Sequence, residues 1–347
     1  AWFENDGNGD PSFTERTITT DVKDAATIYA ADVDGDEDTD VLSGGGNYAG
    51  GTVAWYENDG NADPSFTTRT VGTTEYGVSS VYARDVDGDS DVDVFSASSY
   101  CCDDDNEIAW YENDGATDPG FTKHTITSAA IGASGVYAMD LNGDSQVDVL
   151  SASEDDDKIA WYENLDGSFS EQQVLTGPGF ASGAFDVHTA DVDGDSDTDV
   201  LSASLEDNKI AWYENDGESM PSFTSHTITT NVGEASSVTT ADVDGDGDTD
   251  VLSASESGDS EWYENDGSAD PSFTTHGITS PDGETSVDAG DLDGDGDTDI
   301  IYGVETSGDF SDRITWCEND GSDDPSFTCS AIINNANLIQ SVQATDV

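Results

Sequence analysis

The sequence predicts an all-β fold, a single seven-bladed β-propeller over residues 1–347 with four antiparallel strands per blade. Three observations lead there. A block W-[YFC]-E-N begins at Trp2, Trp55, Trp110, Trp161, Trp212, Trp262 and Trp316, spacings of 50 to 55 residues. An Asp-rich block begins at Asp32, Asp85, Asp140, Asp191, Asp242 and Asp291, in the same register as the first. No stretch carries a 3.6-residue apolar period long enough for a helix.

One unit, residues 236–278, shows the elements in order: S-S-V-T-T-A, the Asp cluster, T-D-V-L-S-A-S, a variable stretch, E-W-Y-E-N-D-G, then P-S-F-T-T-H-G-I. The four segments rich in Val, Thr, Trp, Tyr and Phe read as strands A to D, and Asn-Asp-Gly reads as the turn between C and D. The Trp of each block is expected to fill the space between neighbouring sheets, so that each sheet buries both faces. Counting segments gives seven A, C and D strands and six B strands, since Asp346-Val347 only begins a seventh Asp block. The last blade is therefore expected to be composite, strand A from residues 336–347 and strands C and D from residues 1–20, with an open B position. Either the chain is an excerpt of a longer protein or a strand from another molecule fills that position.

Acidic residues number 77 against 8 basic ones, a net charge of -69 that repels nucleic acid and anionic membrane surfaces. No apolar run approaches the ~18 residues of a membrane helix. Neither nucleic acid nor a membrane is an expected partner. Much of the acid is concentrated in the repeated loops, where it has the pattern of cation ligands.

The fifth loop, Asp242, Asp244, Asp246, Asp248 and Asp250, places carboxylates at positions 1, 3, 5, 7 and 9. Calcium takes six to eight oxygens at about 2.3–2.6 Å, and such a hairpin can wrap several round one ion. Position 7 is expected to offer its backbone carbonyl. Position 12 is Ser253, so the loop lacks the bidentate Glu of an EF-hand. The other candidate ligand sets are Asp32, Asp34, Asp36, Asp38 and Asp40; Asp85, Asp87, Asp89, Asp91 and Asp93; and Asp140, Asn142, Asp144, Gln146 and Asp148. Asp191, Asp193, Asp195, Asp197 and Asp199, and Asp291, Asp293, Asp295, Asp297 and Asp299, complete the six. About six structural Ca²⁺ ions are expected, each relieving the repulsion among crowded carboxylates.

These loops resemble the D-x-D-x-D-G-x-x-D hairpins of the FG-GAP or VCBS repeat family, which includes the propeller head of integrin α subunits and many secreted microbial proteins. The resemblance covers essentially the whole chain and implies a propeller with calcium on the A–B hairpins. The family glycine is kept at Gly247 and Gly296 and replaced by Glu37, Ser90, Ser145 and Ser196. Positive φ at those four positions carries a cost, so those loops are expected to bend differently or to bind an ion less tightly.

Cys317 replaces Tyr in the W-Y-E-N strand and Cys329 lies on the next strand, so the two are expected opposite one another and bridged. Cys101 and Cys102 are candidates for a vicinal disulfide at a hairpin tip. His124, His226 and His276 share one position on strand D with Arg16, Arg69, Gln172 and Ser330, as outer-strand polar residues do. His188 lies on strand A, where its equivalents include Tyr29, Tyr82 and Tyr137, and it is a ligand candidate near the expected channel mouth. Tyr48, Tyr76, Tyr100, Phe180 and Phe310 sit in the least repetitive loops, B–C and D–A, where recognition tends to reside.

The leading expectation is an extracellular or cell-surface recognition or adhesion module that binds a glycan or a protein through the face opposite the calcium hairpins. The alternative is a structural unit of a surface layer or filament, whose partners are copies of itself or further propellers. A polysaccharide lyase or hydrolase needs a base or nucleophile beside a partner and a charge stabiliser. No such non-repeating constellation stands out, and the chain is expected not to be an enzyme.

Overall fold

The computed structural model describes residues 1–9, 11–47, 50–99, 106–170, 173–176, 180–257, 260–278, 283–305, 312–322, 324–336 and 339–345. Each Asp block folds a hairpin between strands A and B, and each Trp block forms strand C. Blade 1 is Ala25–Ala31, Asp40–Asn47, Gly50–Asn58 and Phe66–Thr74; blade 2 is Val78–Arg84, Asp93–Ser98, Glu107–Asn113 and Phe121–Thr127. Blade 3 is Ala133–Met139, Asp148–Ser153, Lys158–Tyr162 and Gln173–Val174; blade 4 is Ala184–Ala190, Asp199–Ser204, Lys209–Asn215 and Phe223–Thr229. Blade 5 is Ala235–Ala241, Asp250–Ser255, Glu261–Asn265 and Phe273–Gly277; blade 6 is Glu284–Gly290, Asp299–Val304, Asp312–Asn319 and Phe327–Ala336. In every blade the strands A to D, in that order, lie side by side, so the fold is an all-β propeller of four-stranded blades.

The seventh blade expected from the sequence departs from this pattern. Trp2–Asn5 and Phe13–Arg16 form a two-stranded sheet, so the described residues contain six complete blades and one partial sheet. Residues 339–344 carry no strand assignment, yet they lie along strand A of blade 6. Thr285 Oγ1 donates to the Ile339 carbonyl (2.8 Å), and the Val342 N–H donates to Ser286 Oγ (3.2 Å). The Val136 N–H makes the same bond to Ser80 between blades 3 and 2 (3.3 Å).

The chain divides into two compact units. One, residues 18–187 with 345–347, holds blades 1 to 3; the other, residues 1–17 with 188–344, holds blades 5 and 6, the partial sheet and most of blade 4.

Strand B is the centre of each blade: all six of its residues are buried in blades 2 to 5. Its Ser and the Tyr of strand C share a buried hydrogen bond, Ser43 with Tyr56 (3.0 Å), Ser151 with Tyr162 (3.3 Å) and Ser202 with Tyr213 (3.2 Å). Blade 6 exchanges the two sizes, with Tyr302 at the Ser position of strand B and Cys317 at the Tyr position of strand C. The smaller residue leaves room for the expected bridge, and Cys317 is paired in register with Cys329 and bonded to it (S–S 2.06 Å).

The strand-D histidines do more than face water. His124, His226 and His276 stack on Trp110, Trp212 and Trp262 at ring centroids of 4.5, 4.5 and 4.3 Å, and each meets the Glu of the Trp block at 2.7–2.8 Å. Arg69 covers Trp55 in the same way and pairs with Glu57 (2.7 Å). These side chains seal the outer edge of the core, an arrangement that combines aromatic stacking with a hydrogen bond.

Trp161 is only 2 % exposed, whereas Trp2, in the partial sheet, is half-buried. Trp161→Ala is expected to cost roughly 3–5 kcal/mol in urea unfolding and Trp2→Ala less than half of that. Equal losses would show that Trp2 is packed as fully as its six counterparts.

Candidate metal centre

Each A–B loop folds round its own carboxylates. In the fifth, Asp242 accepts the N–H groups of Gly245 (2.8 Å) and Gly247 (3.1 Å), Asp244 accepts that of Asp246 (3.2 Å), and Asp246 that of Asp248 (2.9 Å). The position 1 aspartate makes the same pair of bonds in the other five loops. This winding forces position 6 into the left-handed region: φ is 95° at Gly247 and 99° at Gly296, but also 76° at Glu37, 79° at Ser90, 70° at Ser145 and 78° at Ser196. The four replacements of the glycine therefore keep the same bend and bear its cost.

Position 9 opens strand B and is buried in every loop. Asp250 Oδ2 accepts the Val243 N–H (3.0 Å) and Oδ1 the Asn265 N–H (2.8 Å), which ties the loop to strand C. The position 7 side chains Asp38, Asp91, Asp197, Asp248 and Asp297 lie against the glycine of the C–D turn, where an added Cβ would collide with them. Gln146 Oε1 instead accepts the Asp166 N–H (2.8 Å).

A residue not marked in advance joins these parts. The Asn of each Trp block accepts a turn N–H at Oδ1 and donates from Nδ2 into the loops. Asn319 bonds the Thr298 carbonyl of its own loop (3.0 Å) and the Val243 carbonyl of the preceding one (2.8 Å). Asn113 reaches Val92 and Val33, and Asn164 reaches Val147 and Val86, in the same manner. Its presence in all seven copies of W-[YFC]-E-N was the available signal.

Carboxylate oxygens of three residues come within 4.8 Å of one another in five loops: Asp32, Asp34 and Asp36; Asp85, Asp87 and Asp93; Asp191, Asp193 and Asp199; Asp242, Asp244 and Asp246; Asp291, Asp293 and Asp295. In the third loop Asn142 stands at position 3 and turns its amide towards Asp144 Oδ2 (3.4 Å). Asp34 Oδ1 is buried without a hydrogen-bond partner, and burial followed by the charges of Asp36 and Asp40 pushes this carboxyl up to about 6. Desolvation likewise raises Asp93, Asp199 and Asp250 to about 7 and Asp148 to about 6, against the backbone bonds that lower them. Grouped oxygens, one of them orphaned, fit a hard divalent cation such as Ca²⁺. Positions 1, 3 and 5 would hold it, or positions 1, 3 and 9 in the second and fourth loops.

Other acids build turns. Asp6, Asp59, Asp216, Asp266 and Asp320 each accept the side chain and the backbone N–H of a Ser six residues on. Those bonds hold Asp6 and Asp320 down to about 2.

Of the ligand candidates, Tyr48, Tyr100 and Phe310, with Cys101 and Cys102, lie outside the described residues. Tyr76 and Phe180 are half-buried. His188 bonds Thr240 Oγ1 (3.2 Å), and desolvation pulls it down to about 4. Its equivalents Tyr29, Tyr82 and Tyr137 pack ring on ring at 4.6 and 4.4 Å.

A family model described as an FG-GAP-like repeat matches residues 32–96, 85–151, 140–202, 191–253 and 242–302. No curated protein matches the chain. Among solved structures, BBS1N from a complex with ARL6DN is 9% identical, with a TM-score of 0.51 over 84% of this chain and 78% of that one. A 6-phosphogluconolactonase candidate from Bacteroides fragilis is 13% identical, with a TM-score of 0.55 over 83% and 79%. At such identities the likeness is one of fold.

Two outcomes follow from the loops. The raised carboxyls bind more protons folded than unfolded between about pH 4 and 7, so their contribution is present at low pH and lost as pH rises through 7. In chelator, Tm should therefore fall from about pH 5 to about pH 8, and added calcium should raise it more at the higher pH. His188, lowered to about 4, pulls the other way as a single group. A Tm indifferent to calcium at both pH values would remove the structural role of the metal. The second outcome concerns Gly247, with φ 95° and open space where a Cβ would stand. Gly247→Ala should cost about 1–2 kcal/mol in unfolding free energy by backbone strain alone, and no loss would show that the loop relaxes.

Proposed function

The chain belongs to the FG-GAP-like repeat family, and from that premise we propose a calcium-stabilised recognition module, outside the cell or on its surface, that binds and does not catalyse. The contrast between two sets of loops supports this reading. The A–B loops have one length throughout, from Ala31 to Asp40 in blade 1 as from Gly290 to Asp299 in blade 6. The B–C loops run from a short link between Asn47 and Gly50 to the long stretch between Ser98 and Glu107. A scaffold fixed on one set of loops and varied on the other suits recognition. About six Ca²⁺ ions would hold the fixed set, and a glycan or protein would contact the varied set, with Tyr48, Tyr76, Tyr100, Phe180, Phe310 and His188 as the residues to test.

The alternative, a unit of a surface layer or filament, draws on the partial sheet. Read as a composite seventh blade, residues 339–344 supply strand A and residues 2–16 supply strands C and D, with no strand B among the described residues. There the Asn5 N–H lacks the strand-B aspartate that its six counterparts meet at 2.8 Å. An open strand position is a template for pairing.

Replacing the blade 2 segment 99–106 by the blade 3 segment 154–157 should abolish capture of glycans or extracellular proteins on arrays run in calcium, while leaving Tm unchanged. Arrays bare of both ligand classes, with light scattering showing assembly, would favour the structural unit. Turnover of a sugar lactone, the activity for which the Bacteroides neighbour is named, would overturn the binding reading.

A further inference from the structure

The C–D turn is the same length in six places, from Asn58 to Phe66, Asn113 to Phe121, Asn215 to Phe223, Asn265 to Phe273, Asn319 to Phe327 and Asn5 to Phe13. In blade 3 it runs only from Asn164 to Phe169, three residues shorter. The missing part has a definite place in its neighbour. Asp118, in the blade 2 turn, reaches back over strand D of blade 1 and pairs with Arg69 (2.7 Å), covering the side chain that caps Trp55. The short turn of blade 3 has no residue to do this for blade 2. A cleft of about 430 Å³ lies there, lined by Trp110, Lys123, His124 and Ile126 from one blade and Ser168 and Phe169 from the other, all within one compact unit.

We propose that this cleft is a binding site for a neutral sugar ring of a glycan. Its volume falls in the ~300–1,000 Å³ range of small-ligand sites. His124 rests one ring face on Trp110 (4.5 Å, planes 19° apart), and its side chain is 41% exposed, so the other face is open to stack against the C–H face of a sugar. The groups there that sugar hydroxyls can bond are the imidazole, held at Nε2 by Glu112 (2.8 Å), and the Ser168 hydroxyl, which donates to the Leu165 carbonyl (3.0 Å) and keeps lone pairs to accept. The lining argues for an uncharged ligand. Lys123 borders the cleft, but strand alternation sends its side chain to the other face, in line with Tyr111, where Glu107 holds its ammonium (2.5 Å). A net charge of -69 opposes an anion, and the one carboxylate here already has His124 as its partner. This site lies beside the C–D turn and is separate from the variable B–C and D–A loops proposed above for recognition.

The test uses the full chain in calcium with lactose, maltose, cellobiose and mannobiose, followed by saturation-transfer NMR and calorimetry. At least one disaccharide should bind. Affinity should fall tenfold or more when Leu165–Ser168 is replaced by the blade 2 sequence Asp114–Gly120, which restores the cover, and when His124→Gln removes the stacking face. His226→Gln, the same change beside a full-length turn, should leave binding intact and controls for general loosening of the fold. Binding that survives both cleft variants would place the sugar elsewhere and overturn the inference while leaving recognition by the loops standing. Absence of binding by all four sugars would also overturn it, and the array experiment would then decide the loop-face reading on its own.

Discussion

The aspartate that opens strand B is the residue on which each blade depends. Asp40, Asp93, Asp148, Asp199, Asp250 and Asp299 are at most 1% exposed, and each accepts one N–H from its loop and one from the Asn of strand C. Two charge-assisted bonds set the register of A, B and C at once. They do not fully offset the desolvation of a carboxylate, which is why this group is raised. A divalent ion among the neighbouring carboxylates, which are grouped closely enough to hold one, would supply the missing charge. The carboxylate shapes the loop that gathers the candidate ligands, and an ion held there would make its ionised form tolerable at neutral pH.

The periodicity of Trp and Asp was enough to read the blade, its four strands and their order, because each strand contributes a residue type that recurs in one register. Position 6 was less legible: losing the family glycine pointed to a different bend, yet Glu37, Ser90, Ser145 and Ser196 keep the left-handed one. The Cys317 to Cys329 pairing followed from counting across a turn. Less could be read where a side chain serves two elements far apart in the chain. Asn319 recurs as plainly as Trp316, yet its bond to Val243 joins residues of different repeats, and spacing within one repeat is silent about that. The strand-D histidines look like surface polar residues by position, and only the packing of the neighbouring Trp shows them as its cover. The partial sheet at residues 2–16 was countable, but whether segments from the two chain ends pair into one sheet is a matter of geometry.

The acidity that dominates the composition resolves into separate uses. Part of it winds the A–B loops, part closes the C–D turns through Ser, and part anchors the residue over each Trp, as Glu112 anchors His124 and Glu57 anchors Arg69. In each use the carboxylate meets an N–H, a hydroxyl or a cationic side chain at short range, where solvent screening is least effective. The charge is therefore largely architectural.

The asparagine ties also set where the molecule is free to vary. Asn113 and Asn164 each fasten a loop to the loop of the preceding blade, so a change in the winding of one A–B hairpin is felt at the next strand C. Such coupling between neighbours is the way repeat proteins spread stability along the chain, and it leaves little room for divergence in the hairpins. Beyond the asparagine the constraint ends. In blade 3 Asn164 keeps both carbonyl bonds, and its Oδ1 still accepts the Gly167 N–H (2.9 Å), although the turn that follows is three residues short. The deletion thus opens the rim over Trp110 without disturbing the frame beneath it. The B–C loops lie equally outside these ties. A repeat of this kind can acquire a site by losing or gaining residues after the hub at little cost to its fold, whereas the same change before the hub would break the bonds that set strand register.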